Sequence, residues 1–102
     1  MCSINDAKRH EALALFYLKE KDFHKMREHF LEAASIYVLQ AELNQNESLL
    51  SNANECYAKS LGQSTPTIFS KQELAQRTLT ELQEFQPTHH HHDVLQEIKG
   101  MI

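Results

Sequence analysis

Apolar residues recur every three or four positions through most of the first 61 residues, and short charged or polar stretches interrupt them. A repeat of this period predicts amphipathic α-helices rather than strands. Residues 12–41 carry two such apolar stripes on either side of a charged break at 19–22. The pattern therefore predicts two antiparallel helices joined by a tight turn.

The first two predicted helices span about residues 5–20 and 23–43. Ser3 and Asp6 have the spacing of a capping box before the first helix, and Asp22 can cap the second. The second helix has a further row of apolar residues beside its main stripe, which is more than one neighbour can cover. It therefore needs a third helix as well as the first.

The first helix has a narrower apolar face than the second. Its predicted core residues are Leu13, Phe16 and Tyr17, extended by Ala7, Ala14 and His10 at helical spacing. We expect this face to contact the second helix.

Two further helices are predicted at about 45–61 and 71–86. Each follows a pair with capping-box spacing, Asn44 with Glu47 and Ser70 with Glu73. The third helix carries an apolar stripe that can cover part of the second helix, so a three-helix core is expected.

The segments between and after these helices have loop composition. Gly62 is placed for a left-handed helix cap, and the linker at 63–69 contains a proline that bars continuation of the helix. A His-rich loop follows at 87–92, and residues 93–99 are predicted to form a short C-terminal helical segment.

Composition narrows the fold class and the kinds of partner. With 102 residues, two glycines and two prolines, the chain suits a single all-α domain over residues 1–102. We expect a small helical bundle with a three-helix core and a fourth helix packed across it. The net charge of −4 and the lack of a basic patch argue against nucleic-acid binding. No apolar run is long enough to span a membrane.

Cysteine usage and motifs favour a cytoplasmic protein that is not an enzyme. Cys2 and Cys56 are too far apart for a metal knuckle and too few for a disulfide framework, so Cys56 is predicted to be a small buried residue. No secretory signal is visible at the N-terminus. Nucleophile motifs and phosphate-binding loops are absent, so no catalytic residue and no cofactor are predicted.

Residues 6–61 resemble two families of helical proteins. The hairpin at 12–41 is similar to a tetratricopeptide repeat, whose small and aromatic positions match Leu13, Ala14, Tyr17, Phe23, Phe30 and Ala33. The longer segment resembles the microtubule-interacting-and-transport (MIT) domain. That resemblance rests on Lys-Asp-Phe at 21–23, on Phe30, Ala33 and Tyr37, on Glu-Ser-Leu at 47–49 and on Tyr-Ala-Lys-Ser-Leu at 57–61.

The MIT resemblance implies a three-helix bundle that binds another protein. In that family a groove between two helices binds short helical tails of membrane-remodelling filament subunits. Lys59 and Ser60 stand here where the family usually has an arginine and an Ala-Glu pair.

Surplus apolar residues on the second helix indicate a protein–protein interaction module. Leu31, Val38 and Leu39 are either covered by the fourth helix or exposed as a patch for a partner or a second copy. We take these three as the predicted partner-binding residues. The expected role is an adaptor or a small regulatory or inhibitory subunit that binds a helical segment or an enzyme surface, and a homodimer is possible in principle.

Four consecutive histidines, His89, His90, His91 and His92, are the candidate metal ligands. Imidazole binds zinc, copper or nickel, but four neighbours in sequence cannot all reach one ion from a regular backbone. A solvated loop is the favoured interpretation, and a His-rich metal-handling protein is the alternative function.

Other titratable residues on the second helix are predicted to be on the surface. His24 and His29 lie five positions apart, which places them on different faces. Glu28 and Glu32 are one helical turn apart and are predicted to form a solvated face.

Overall fold

The computed structural model describes residues 3–85 and 98–100, and four long helices lie within this part of the chain. They are α1 (Ile4–Lys19), α2 (Phe23–Asn44), α3 (Glu47–Ser60) and α4 (Lys71–Leu82). Residues 98–100 are also helical, and no strand occurs among the described residues. The predicted all-α class is confirmed. None of the helices in this part of the chain is both long and apolar enough to cross a membrane.

Short polar side chains begin three of the helices where the sequence predicts them. Ser3 and Asp6 form the expected capping box of α1, since each side chain bonds to the other residue's backbone N–H. Asp22 caps α2 and Ser70 caps α4, and each accepts a bond from the N–H three positions later. These local bonds fix where the helices start.

The start of α3 and the end of α4 differ from the predictions. Asn44 is still part of α2, so the expected pair with Glu47 does not form, and the side chain of Asn46 caps α3 instead. Helix α4 ends at Leu82, four residues early, because the chain tightens into i→i−3 bonds as far as Phe85.

Gly62 adopts the predicted left-handed conformation, with φ of 75°. Its N–H donates to the carbonyl of Lys59, and the N–H of Gln63 donates to the carbonyl of Ala58. These two bonds form a Schellman motif that ends α3.

Helix α2 is the centre of the fold, because α1, α3 and α4 all pack against it. Every residue from Phe30 to Leu39 is buried, so the excess apolar surface of α2 is covered from several sides. Alanines on α1 and α2, among them Ala7, Ala14 and Ala33, are fully buried. Small side chains at these positions let the helix axes approach closely.

The buried apolar residues form two groups. The main core contains residues of all four helices and also Ile98, which is completely buried. A smaller cluster joins Ala14, Met26 and Phe30, with Tyr17 packed against it. This second cluster lies at the end of the bundle where α1 turns into α2.

The side chain of Asn54 on α3 hydrogen-bonds to the linker that leads to α4. Its side-chain oxygen accepts from the N–H of Phe69 at 3.0 Å, and its amide nitrogen donates to the carbonyl of Phe69 at 3.3 Å. The guanidinium of Arg77 lies 4.2 Å from the centre of the Phe69 ring. Polar and cation–π contacts therefore hold α4 against the bundle, in addition to its apolar face.

Candidate functional site

The predicted partner-binding residues lie inside the protein. Leu31 and Val38 are fully buried and Leu39 is 6% exposed, all within the main core. Of the two alternatives that the sequence left open, these residues are covered rather than exposed, because α3 and α4 both pack against α2. A partner-binding surface has to be found elsewhere.

Exposed apolar side chains meet instead at the turn between α1 and α2. Leu15 is 54% exposed, Leu18 42% and Phe23 58%. They line a groove of about 410 Å³ whose wall also contains the buried residues Met26 and Phe30. We call this feature the hairpin groove, and Lys59, Gly62 and Gln63 at the end of α3 also line it.

The hairpin groove exists because α1 buries its alanines rather than its aromatic residues. Ala7 and Ala14 are the fully buried side chains of α1, whereas Phe16 is more than half exposed. The predicted core position of Phe16 is therefore wrong. Close approach at the alanines rotates the larger side chains of α1 toward solvent and toward the groove.

A tight turn holds the groove in shape. The N–H of Lys21 donates to the carbonyl of Leu18, and the N–H of Asp22 donates to the carbonyl of Tyr17. Lys21 adopts the left-handed conformation, with φ of 61°, which is unusual for a residue with a side chain. The turn thereby fixes the last residues of α1 relative to Phe23.

Lysine side chains lie on and beside the rim of the hairpin groove. Lys59 lines it directly, and the adjoining turn carries Lys19 and Lys21, all three exposed. Glu20 is the exposed carboxylate among them, while Asp22 is engaged in capping α2. An acidic ligand would be attracted to this rim.

A second candidate site lies further along the α1–α2 contact, where His10, His29 and Glu32 meet. One nitrogen or oxygen atom from each lies within 4.8 Å of the others. His10 Nε2 is 3.0 Å from Glu32 Oε2, and His10 Nδ1 is 3.0 Å from His29 Nδ1. Since a neutral imidazole donates from one nitrogen and accepts at the other, His10 can donate to Glu32 and accept from His29.

Aromatic stacking orders this cluster. The ring of His29 stacks on Tyr17, at a centroid distance of 5.4 Å, and lies edge to edge with the ring of His10, at 5.2 Å. The ammonium of Lys25 lies 5.3 Å from the centre of the Tyr17 ring. A pocket of about 420 Å³ opens beside the cluster and is lined by Arg9, His10, Leu13, Tyr17, Lys25, Glu28 and His29.

The sequence-based interpretation of these residues was wrong in two respects. Glu32 is fully buried rather than solvated, and His29 is half-buried against α1 rather than on the open surface. A signal was present in the sequence, because Glu32 stands between the apolar residues Leu31 and Ala33 and His29 lies three positions before it. The histidines at 89–92 lie outside the described residues.

Three other titratable groups are buried away from both sites. Burial raises the pKa of Tyr37, and its hydrogen bond to the Glu11 carboxylate adds to the rise. Burial likewise raises the pKa of Tyr57, with a hydrogen bond to Glu81 as a further cause. The Cys56 thiol, predicted to be buried, is 1% exposed, and burial raises its pKa.

No model of a known protein family, no curated protein and no solved structure matches this chain.

Proposed function

We propose that this protein is a protein–protein interaction module whose hairpin groove binds the apolar face of an amphipathic helix from another protein. The observation that carries the proposal is the convergence of Leu15, Leu18 and Phe23, all largely exposed, on one groove of about 410 Å³. Apolar side chains grouped in this way are typical of interaction surfaces.

The groove has the form needed to receive side chains. Covering apolar surface contributes about 25 cal/mol for each Å² removed from water, so a partner gains most by filling the groove between Leu18 and Phe23. Helices that bind in grooves use apolar anchors spaced three or four positions apart. The tight turn between α1 and α2 fixes the shape of the groove before binding. Less conformational entropy is therefore lost when a partner binds.

Charge around the groove favours a helix with acidic flanks. Lys19, Lys21 and Lys59 lie on its rim or in the adjoining turn. The resemblance to the MIT domain supports the same kind of ligand, since that family binds helical tails in a groove between two helices. An adaptor and a small regulatory or inhibitory subunit would both use the groove in this way. The buried free thiol of Cys56 suits a reducing compartment such as the cytoplasm.

The test is a display library of amphipathic helices, selected on the full chain and remeasured as synthetic peptides by titration calorimetry. We expect selected peptides to carry apolar residues at helical spacing with Asp or Glu beside them. Leu18→Glu and Phe23→Glu should each weaken their binding by at least about 30-fold, the effect of losing a central anchor worth about 2 kcal/mol.

Leu43→Glu and Ile68→Glu are the matched controls, because both side chains are largely exposed apolar residues outside the groove. They should leave peptide affinity within about twofold of the parent. Equal losses in all four variants would contradict the proposal. A concentration-dependent dimer that Phe23→Glu abolishes would instead identify a second copy as the occupant, and would overturn the choice of a foreign helix.

A further inference from the structure

We propose that His10, His29 and Glu32 form a binding site for one Zn²⁺ ion that links α1 to α2. The site shares no lining residue with the hairpin groove, so it is independent of the interaction proposed above. Within the part of the chain that the structure describes, these three residues are the only group of His, Cys, Asp or Glu side chains close enough together to hold a metal ion.

The spacing of the three ligands fits a tetrahedral ion after small side-chain rotations. Zinc bonds to nitrogen and oxygen at about 2.0–2.2 Å, which places neighbouring ligand atoms about 3.4 Å apart. The three ligand atoms lie within 4.8 Å of one another. Bringing the ligand atoms to that spacing therefore takes at most about 1.4 Å, which we assign to rotation of the His10 and His29 side chains.

Burial of Glu32 favours a cation at this position. Its side chain has no exposed surface, and His10 Nε2 lies 3.0 Å from Oε2. A buried carboxylate requires a compensating positive charge or metal ion to offset its desolvation. Zinc would supply that charge and leave both imidazoles neutral, which is the form in which histidine coordinates a metal.

The surroundings pre-orient the ligands. His29 is held by stacking on Tyr17, with an angle of 7° between the ring planes. His29 and Glu32 project from adjacent turns of α2, and His10 faces them from α1. Ligands on rigid helices whose rings are already packed lose little freedom when an ion binds.

The donor set selects zinc over hard ions. Two imidazole nitrogens and one carboxylate suit Zn²⁺, whereas Mg²⁺ and Ca²⁺ prefer oxygen donors throughout. Three protein ligands leave a fourth position, and His10 and His29 line the same pocket as Lys25 and Glu28, from which a fourth ligand can approach. Water or a small anion near Lys25 would complete the coordination there.

The experiment must separate this site from the four-histidine segment. We would use the full chain with His89–His92 replaced by Ser as the parent, and titrate it with ZnCl₂ in a calorimeter. The expected result is one ion per chain, with His10→Ala and His29→Ala each weakening the Kd by at least about tenfold, since even the loss of an outer-shell partner of a metal ligand costs about 10–100-fold. His24→Ala, which removes an exposed histidine from the same helix, should leave the Kd unchanged.

Co²⁺ binding to the parent gives a readout that does not depend on the variants folding. We expect visible absorption of a four- or five-coordinate ion, and paramagnetic broadening of the ring signals of His10 and His29 in the NMR spectrum. A Kd for Zn²⁺ weaker than about 1 mM in the parent would overturn the proposal. Binding of equal strength in the folded double variant His10→Ala/His29→Ala would do the same.

Discussion

Tyr37 of α2 donates its hydroxyl to the carboxylate of Glu11 on α1, with 2.6 Å between Oη and Oε2. Tyr57 of α3 makes the same kind of bond to Glu81 on α4. Each pair joins two helices, and each holds a proton between a buried phenol and a carboxylate. The two pairs therefore make the fold sensitive to alkaline pH.

We expect the free energy of unfolding to fall as pH rises above about 10, the ordinary pKa of tyrosine. Both phenol pKa values are raised in the folded protein, so the unfolded chain releases these protons first and is favoured as pH increases. Each tyrosine adds at most about 1.4 kcal/mol per pH unit to this loss. Urea unfolding between about pH 8 and 11 measures the slope.

The double variant Tyr37→Phe/Tyr57→Phe should lose stability less steeply over this alkaline range. Tyr17→Phe is the control, since its hydroxyl belongs to neither pair. An unchanged slope in the double variant would show that other groups cause the alkaline loss.

Asn54→Ala should destabilise the protein by about 1–3 kcal/mol, because it removes the side-chain partner of the N–H and carbonyl of Phe69, which are half-buried. Cleavage of the linker at 63–69 by a protease should become faster in the same variant. Asn52→Ala removes an exposed amide from the same helix and should change stability by less than about 0.5 kcal/mol. Equal effects of the two substitutions would show that the Asn54–Phe69 hydrogen bonds do not stabilise the linker specifically.

Ile98→Ala should destabilise the protein by about 2–5 kcal/mol, as expected for a fully buried aliphatic side chain in the main core. Thermal and urea unfolding measure the change. The neighbouring exposed residue provides the control, and Lys99→Ala should be nearly neutral. If Ile98→Ala were equally neutral, the C-terminal segment would not contribute to the core in solution.

Cys56 should resist alkylation as long as the protein is folded. Burial raises the pKa of its thiol, and the Glu11 carboxylate raises it further, so the reactive thiolate is rare in the native state. Iodoacetamide labelling of a Cys2→Ser variant, followed by mass spectrometry, isolates this thiol. The labelling rate should increase with urea in parallel with unfolding, and complete labelling within minutes in native buffer would contradict the prediction.

Local signals in the sequence determined most of the secondary structure. The three-to-four-residue period produced four helices, since residues at that spacing share one helix face. Ser3, Asp22 and Ser70 cap their helices as predicted, because capping bonds join residues only a few positions apart. The apolar excess of α2 also predicted correctly that it packs against more than one helix.

The tertiary structure alone decided which residues meet and which face solvent. Phe16 and Leu31 both lie on apolar stripes, but close packing at Ala14 turns Phe16 outward and the covering helices bury Leu31. His10 and Glu32 belong to different helices and come together when the hairpin closes. A periodic pattern specifies an apolar face but not its partner or its rotation, because those depend on how side chains of distant segments fit together.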